Sequence, residues 1–404
     1  MNSVEQALEN VKAGLSPVGC ETIAIDQALG RVLGEGVASR VTQPPKDVSS
    51  MDGYAVRAED VATVPVTLTR IGESQAGSGF DGTVASGQTV RTFTGAPIPD
   101  GTDTMVIQEV TEVDGDQILI KETAPLGDFV RPKGLDFNNG DVLLKQGQVL
   151  SARDIGLLAA MNVPWIQVRR RPRVAIIATG DEVVMPGDPL GPDQILSSNT
   201  LALAGYIRAL GGDPVNLGIA RDTVDSLREI LNAAKGADLI MTIGGASVGD
   251  YDLVQQVMGE EGLKLDFYKV AMRPGKPMIF GHLNQIPVLG LPGNPVSAGV
   301  TCVVFLTKAM ELLLGADADT TANETVLLGK DLPENGQRQD YIRAELSKAE
   351  DGAISASPFG VQDSSMMERF AKADCLIVRA PYAPAIKAGE RVEIIRLSMG
   401  LTRF

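Results

Sequence analysis

The sequence predicts a multidomain α/β-plus-β protein, in which a doubly wound α/β domain sits between an N-terminal helical region with a small β domain inserted in it and a C-terminal β domain. Three observations predict this. The chain has 404 residues, enough for roughly two to four domains. Apolar runs alternate with helical patterns across 166–318, as a parallel sheet with crossover helices requires. Two flanking stretches, 43–132 and 319–404, instead carry short alternating runs broken by glycine and paired turn residues.

Along the chain, 1–42 is helical in pattern, with Val4, Leu8, Val11 and Leu15 on one face, and Pro44-Pro45 ends that unit. The inserted stretch 43–132 is rich in Gly, Thr and Val, with short strands expected at 64–71, 89–94, 104–108 and 117–122, and reads as a small antiparallel β domain. Residues 133–165 hold a strand and turn at 141–150, then a helix whose start is marked by Ser151 and Asp154, a capping pair.

The α/β stretch opens with a continuous apolar run at 174–179, expected of a buried parallel strand. A helix follows at about 200–210, closed by Gly211-Gly212. Next come strand 215–219, helix 224–235, strand 238–243, helix 253–259, strands near 267–271, 278–280 and 288–291, and a last helix from Pro295 to about Leu313. Beyond Gly315, short runs at 326–328, 340–346, 376–378 and 392–395 predict a small barrel-like β domain, with Asp351-Gly352 as one of its turns.

Composition excludes several kinds of function. Lys and Arg number 36 against 51 Asp and Glu, a net charge of −15, which repels phosphate backbones and argues against nucleic-acid binding. His282 is the single histidine, so His-rich zinc sites and the two-histidine iron triad are out of reach. Cys20, Cys302 and Cys375 form no C-x-x-C pair, and free thiols fit a reducing cytoplasm. The N-terminus lacks the basic start and apolar core of a signal peptide. The longest apolar run, 298–306, is too short to span a bilayer, so no membrane role is expected.

Four motifs could carry chemistry. TGDE at 179–182 puts Asp181 and Glu182 just past a strand, where open α/β sheets keep their ligand crevice; a polar turn accounts for such a pair equally. GGASVGDYD at 244–252 puts Gly244 and Gly245 at a strand-to-helix turn, where backbone N–H groups can approach an anion; a plain tight turn explains the two glycines equally. Ser247, Asp250 and Asp252 follow, which favours phosphate plus a cation, since magnesium takes one or two carboxylates together with phosphate oxygens. KVAMRPGKP at 269–277 clusters Lys269, Arg273 and Lys276 at a strand end, and anion binding explains the cluster better than solvated charge does. LPGNPVSA at 291–298 sets Pro295 at a helix start with Ser297 in the first turn; an anion seat and a plain helix start fit it equally. His282 reads as a surface turn residue within 281–284, and the arginines of 169–173 as an exposed lead into the first strand.

Taken together, SSMDGYAV, RTFTGAPIPDGTDTMVIQE, ATGDEV, LGIARD, TIGGASVGDYD, VAMRPGKP and GLPGNPVSA resemble, in kind and order, the molybdopterin molybdenumtransferases of the MoeA family, to which the gephyrin E domain also belongs. The resemblance spans nearly the whole chain. It implies an elongated homodimer of four-domain subunits: a discontinuous, dimerising N-terminal domain (1–42 and 133–165), an inserted β domain (43–132), a molybdopterin-binding α/β domain (166–318) and a C-terminal domain (319–404).

It also implies Mg²⁺-dependent insertion of molybdate into adenylylated molybdopterin with release of AMP, and contact with other proteins of molybdenum-cofactor synthesis. Matched by motif, Asp222 and Asp252 would hold Mg²⁺, and Glu182 would orient pterin or water. Asp52 and Thr94 would come from the partner subunit. Asp136 matches the acid of the family's RxxGxD stretch. Arg273, Lys276, Ser297 and Arg343 resemble the molybdate pocket, with Lys269 nearby, and Gly244, Gly245 and Ser247 line the substrate loop.

Two departures stand out. Many members carry lysine where Arg273 stands. In place of a Gly-Ser-Gly-type loop this chain has PFGVQDSSMM, whose Asp363 would oppose molybdate if it pointed inward. A gephyrin-like non-catalytic scaffold and a molybdopterin adenylyltransferase are the competing readings. Asp52, Glu182, Asp222 and Asp252 together argue against the first, and the extra β domains against the second.

Overall fold

The structure is a computed structural model, and it describes residues 1–244, 253–317 and 323–397. Its centre is a six-stranded sheet. The strands run in the order Asp213–Ala220, Arg173–Thr179, Leu239–Ile243, Ile286–Leu291, Ile279–Leu283, Leu263–Tyr268. The first four are mutually parallel and the last two add antiparallel pairs at one edge. From Val174 to Thr179 every residue of the second strand is buried, because helices cover both faces. Val174 and Ile176 enter one core and Ala175 and Ile177 the other, the two-residue period of a strand sorting side chains between layers.

Among the described residues the α-helices, in chain order, are α1 (Val4–Gly14), α2 (Ala152–Ala160), α3 (Ser198–Ala209), α4 (Val224–Ala233), α5 (Leu253–Glu260), α6 (Pro295–Thr301), α7 (Thr307–Leu314) and α8 (Met367–Ala371). Capping boxes open α1 (Ser3 with Gln6) and α2 (Ser151 with Asp154), satisfying N–H groups that the first turn leaves unpaired. Helices α4 and α5 cover one face of the central sheet through Leu227, Leu231, Val257 and Met258. The other face carries α3, α6, α7 and also α1, which buries Val4, Ala7 and Val11 there.

That last placement divides the packing of the N-terminal stretch between two cores. Residues 4–18 pack in the α/β core, and the Val18 N–H donates to the Leu313 carbonyl at 2.8 Å. Only from Cys20–Ala24, which pairs antiparallel with Trp165–Arg169, does the chain enter the second core, shared by Ile23, Leu33 and Val37 with Phe137, Leu158 and Val168.

Helices α6 and α7 are joined by a π turn at Cys302–Leu306, so the single helix expected over 295–313 has a wider turn in its middle. The whole stretch Pro295–Leu314 is 20 residues and apolar enough to cross a bilayer by length and composition, but 83% of its apolar window is buried inside the protein. A core helix between two domains produces the same signature.

The inserted domain is a six-stranded sheet around Tyr54, Val56, Leu68, Val106, Ile118 and Ile120. It is not wholly antiparallel, since Val66–Ser74 and Gln88–Thr92 run parallel. In the C-terminal domain, Gln339–Lys348 pairs with both Ile354–Pro358 and Cys375–Arg379, curling the sheet towards a barrel. A short piece of the α/β domain, Met272–Arg273, adds itself to that sheet beside Gln339 and Asp340. This stitch brings the Arg273 cluster against the C-terminal domain.

His282 departs from its surface expectation, and Arg169 and Arg170 depart in part, for the same reason, a partner distant in sequence; Arg171 and Arg173 are exposed as expected. His282 lies in the strand Ile279–Leu283, and the turn follows it at Asn284 and Gln285, both at positive φ. Its ring stacks edge-on against Phe280; Nε2 is 3.0 Å from the Gly14 carbonyl and Nδ1 is 3.1 Å from Asp266, so it ties α1 to the sheet. Arg170 grips Asp238 with two hydrogen bonds (2.7 and 2.5 Å), and Arg169 donates to the Val18 carbonyl at 2.9 Å. These two arginines are anchored to the α/β domain.

Candidate functional site

The parallel strands end together. Thr179 is level with Ala220, Ala178 with Ile243, and Ile243 with Leu291, so the turns that follow share one edge, the carboxyl edge where such sheets bind ligands. In the first turn Gly180 has φ +127°, and a Cβ there would fall 2.5 Å from the Glu182 carboxylate. Glycine lets that carboxylate fold back over the strand end. Asp181 receives the Asp222 N–H at 3.4 Å, and Arg221 reaches both the Asp181 carboxylate (3.9 Å) and its carbonyl (3.4 Å). The TGDE and ARD turns are therefore tied, and Asp181, Glu182 and Asp222 are neighbours. Gly244 closes the third strand at φ +86°, with no room for a Cβ beside the Thr179 hydroxyl (2.9 Å). Gly245, Ser247, Asp250 and Asp252 lie outside the described residues. Among the described residues no three His, Cys, Asp or Glu side chains form a metal cluster.

After Leu291 the chain turns through Pro292-Gly293-Asn294 into α6, with Pro295 at its start and Ser297 buried in the first turn. Asn199 from α3 holds the turn through the Gly293 carbonyl at 2.7 Å. The C-terminal domain closes on this helix start. The Val296 N–H donates to the Ser364 carbonyl (3.1 Å), and the Asn294 amide to the Ser364 hydroxyl (2.9 Å).

Behind that loop lies Arg343, only 1% exposed. Its Nε donates to Gln362 Oε1 (3.1 Å) and Nη1 to the Asp363 carbonyl (2.8 Å), while buried Nη2 has no hydrogen-bond partner among the described residues. Burial pushes the guanidinium below its ordinary value, the nearby Asp363 charge opposing this. The Asp363 carboxylate accepts from the Ser365 hydroxyl (2.5 Å) and N–H (2.8 Å), which hold it below the usual carboxylate range. So in PFGVQDSSMM, Ser364 meets α6 and Ser365 occupies the carboxylate of Asp363.

The remaining cations are spread out. Arg273 is exposed and ion-paired with the 4%-exposed side chain of Asp340, and it shares a cleft of about 520 Å³ with Phe359 and Gln362. Lys276 is exposed, its carbonyl accepting from the Val270 and Met278 N–H groups, both at 3.0 Å. Lys269 has φ +73° and lays its ammonium 4.7 Å from the centre of the Tyr268 ring. Asp340, Gln362 and Asn294 had not been singled out. Only Asn294 carried a local signal, as the residue capping a Pro-started helix.

In the inserted domain Asp52 Oδ1 accepts from both the N–H and the hydroxyl of Thr94, each at 2.7 Å. These two bonds hold its carboxyl below the usual range, with Arg91 adding to them. Arg91 lies against the Tyr54 and Phe93 rings at 5.1 and 5.0 Å. Asp136 is exposed, its N–H bonded to the Gln43 carbonyl at 3.0 Å. Among the described residues no hydrogen bond or ion pair links Asp52, Thr94 or Asp136 to the carboxyl edge of the central sheet.

Acids at the carboxyl edge of the α/β sheet, and a C-terminal β domain that closes on the start of α6 with a buried guanidinium behind its loop, are the features of a multidomain α/β-plus-β protein. Family models cover the chain in three successive blocks: the MoeA N-terminal region (domains I and II) over 2–162, a probable molybdopterin binding domain over 175–311, and the MoeA C-terminal region (domain IV) over 325–397. The chain belongs to the MoeA family of molybdopterin molybdenumtransferases, and it is a transferase.

Among its relatives, the molybdopterin molybdenumtransferase of a Nostoc species is 37% identical over 386 residues, covering 93% of this chain and 88% of that one. That of Haemophilus influenzae is 33% identical, with 94% of each covered. Among solved structures, a molybdopterin biosynthesis MoeA protein from Pyrococcus horikoshii superposes with a TM-score of 0.85 at 32% identity, covering 98% of this chain and 99% of that one.

Proposed function

We propose that this transferase inserts molybdate into adenylylated molybdopterin with Mg²⁺ bound, releasing AMP and yielding molybdenum cofactor. One observation carries the reading: Arg343 is buried with Nη2 unpartnered among the described residues, next to the loop that closes on the start of α6. A buried charged donor left without an acceptor costs free energy, and an oxyanion entering between the two domains supplies the acceptor. Ser297 and Lys276 complete this pocket, with Arg273 presenting from the cleft wall.

The acids fit the metal. Magnesium takes one or two carboxylates plus phosphate oxygens rather than a cage of protein ligands. The exposed Asp222 carboxylate makes no hydrogen bond among the described residues, and no larger acid cluster surrounds it. Asp222, with Asp252, would hold Mg²⁺, which when bound neutralises the pyrophosphate that is cleaved. Glu182, folded over Gly180, orients pterin or water. The glycines of the 244–252 loop and Ser247 approach the phosphates, and Lys269 lends charge nearby.

Asp52, whose carboxyl the Thr94 bonds hold below the usual range, and Asp136 act from the partner subunit of a homodimer, a reading supported by their lack of ties to their own sheet edge among the described residues. Three free cysteines, two of them buried, suit a cytoplasmic setting. The test is Asp222→Asn assayed for AMP release against Mg²⁺: a loss of about 100-fold or more is expected, and wild-type turnover in that variant would remove Asp222 from the metal role.

A further inference from the structure

The loop that closes over α6 does more than cap a helix. Gln362 spends its whole amide on one neighbour and its surroundings. Its Oε1 accepts from the Arg343 backbone N–H (3.0 Å) and from Arg343 Nε (3.1 Å), while its Nε2 donates to the carbonyls of Arg343 (3.0 Å) and Phe359 (3.0 Å). It sits where the strand Ile354–Pro358 leaves the ladder, since Ala344 still pairs with Pro358. The side chain thus pairs the Arg343 N–H where the strand no longer does, and shares the Arg343 carbonyl with the Phe359 N–H (3.1 Å). It also grips the guanidinium.

The geometry points to Gln362 as a positioning residue that fixes Arg343 for the incoming oxyanion; this rests on the oxyanion role proposed above for Arg343. With Nε held by Gln362 and Nη1 by the Asp363 carbonyl, the planar group has one buried edge left, Nη2. A guanidinium already held in one orientation loses little freedom when its ligand arrives. Only a neutral side chain with both a donor and an acceptor can make these four bonds. Glutamate would accept but not donate and would cancel the charge, and asparagine is one methylene too short. Gln362 touches no reacting atom in this account and acts through Arg343.

The test uses full-length protein and a double-mutant cycle of Gln362→Met, Arg343→Lys and the pair. Two readouts are followed: KM values in molybdate-dependent AMP release, and calorimetric titration of molybdate alone. Gln362→Met is expected to weaken molybdate by about 10- to 100-fold in both. The KM for adenylylated molybdopterin should stay within about twofold, and the double variant should lose little beyond Arg343→Lys. Unchanged molybdate affinity, additive losses, or an equal rise in both KM values would overturn the inference. Gln362→Glu keeps volume and acceptor but cancels charge. It too should weaken molybdate, which keeps the test open if the methionine variant folds poorly. Failure of the wild type to release AMP would strike the proposed reaction instead, while the calorimetric arm still reads the positioning role.

Discussion

Replacing Arg343 by methionine separates a ligand-binding arginine from a structural one. The substitution keeps the unbranched apolar stem but is shorter than arginine, and it removes the charge and all five N–H donors. In the substrate complex it deletes a charge-assisted hydrogen bond, worth about 1.5–3 kcal/mol, so the molybdate KM should rise about 10- to 150-fold. Without ligand the terms oppose one another. Loss of the bonds to Gln362 (3.1 Å) and the Asp363 carbonyl (2.8 Å) costs about 1 kcal/mol each. Removing a buried charge with an unsatisfied nitrogen returns about 1–3 kcal/mol, which leaves the fold within about 1 kcal/mol of wild type. Steady-state AMP release over a molybdate series gives the first quantity and a thermal melt the second. A melting point lowered by about 10 °C or more, with both substrates' KM values raised alike, would refute the reasoning, because Arg343 would then be holding the domains together.

Three further outcomes follow from the same geometry. If Asp52 acts on the partner's site, co-expressed Asp52→Asn and Asp222→Asn subunits should regain about a quarter of wild-type AMP release, from the one intact site in each mixed dimer; no recovery would place both acids in one subunit's site. Burial alone would raise the Asp238 carboxyl, but the Arg170 hydrogen bonds and the Arg173 N–H outweigh it and hold it low. Its stabilisation is therefore present above the unfolded value of about 3.9 and is lost as pH falls through the lower folded value. Asp238→Asn should cost about 1.5–3 kcal/mol at neutral pH, and denaturant melts should show the gap to wild type shrinking below about pH 4. Gly281→Ala should destabilise the sheet edge by about 1–3 kcal/mol or more, since its Cβ would fall 2.3 Å from the Lys264 carbonyl oxygen; a melting point equal to wild type would contradict the strand register.

What the sequence made legible was local. The buried run at 174–179, the Ser151–Asp154 capping box and the Pro295 helix start follow from neighbours within four residues, and the structure has each of them. The TGDE and ARD turns could be placed because a strand end carries its turn with it. Features that depend on a distant partner were hidden. The amphipathic stripe of α1 announces a buried face without naming the core that buries it. His282 became part of the framework only because Gly14 and Asp266 meet it there. The stitch of Met272–Arg273 onto Gln339–Asp340 crosses a domain boundary. Gln362 lies 19 residues from Arg343, in a segment that had stood out only for departing from the family's usual loop.

The measurement that reaches the central claim most directly is AMP release by the wild-type protein from adenylylated molybdopterin, with molybdate and Mg²⁺ varied independently. The account predicts release that requires both and that accompanies transfer of molybdenum to the pterin. AMP release indifferent to molybdate, or none with both present, would contradict it.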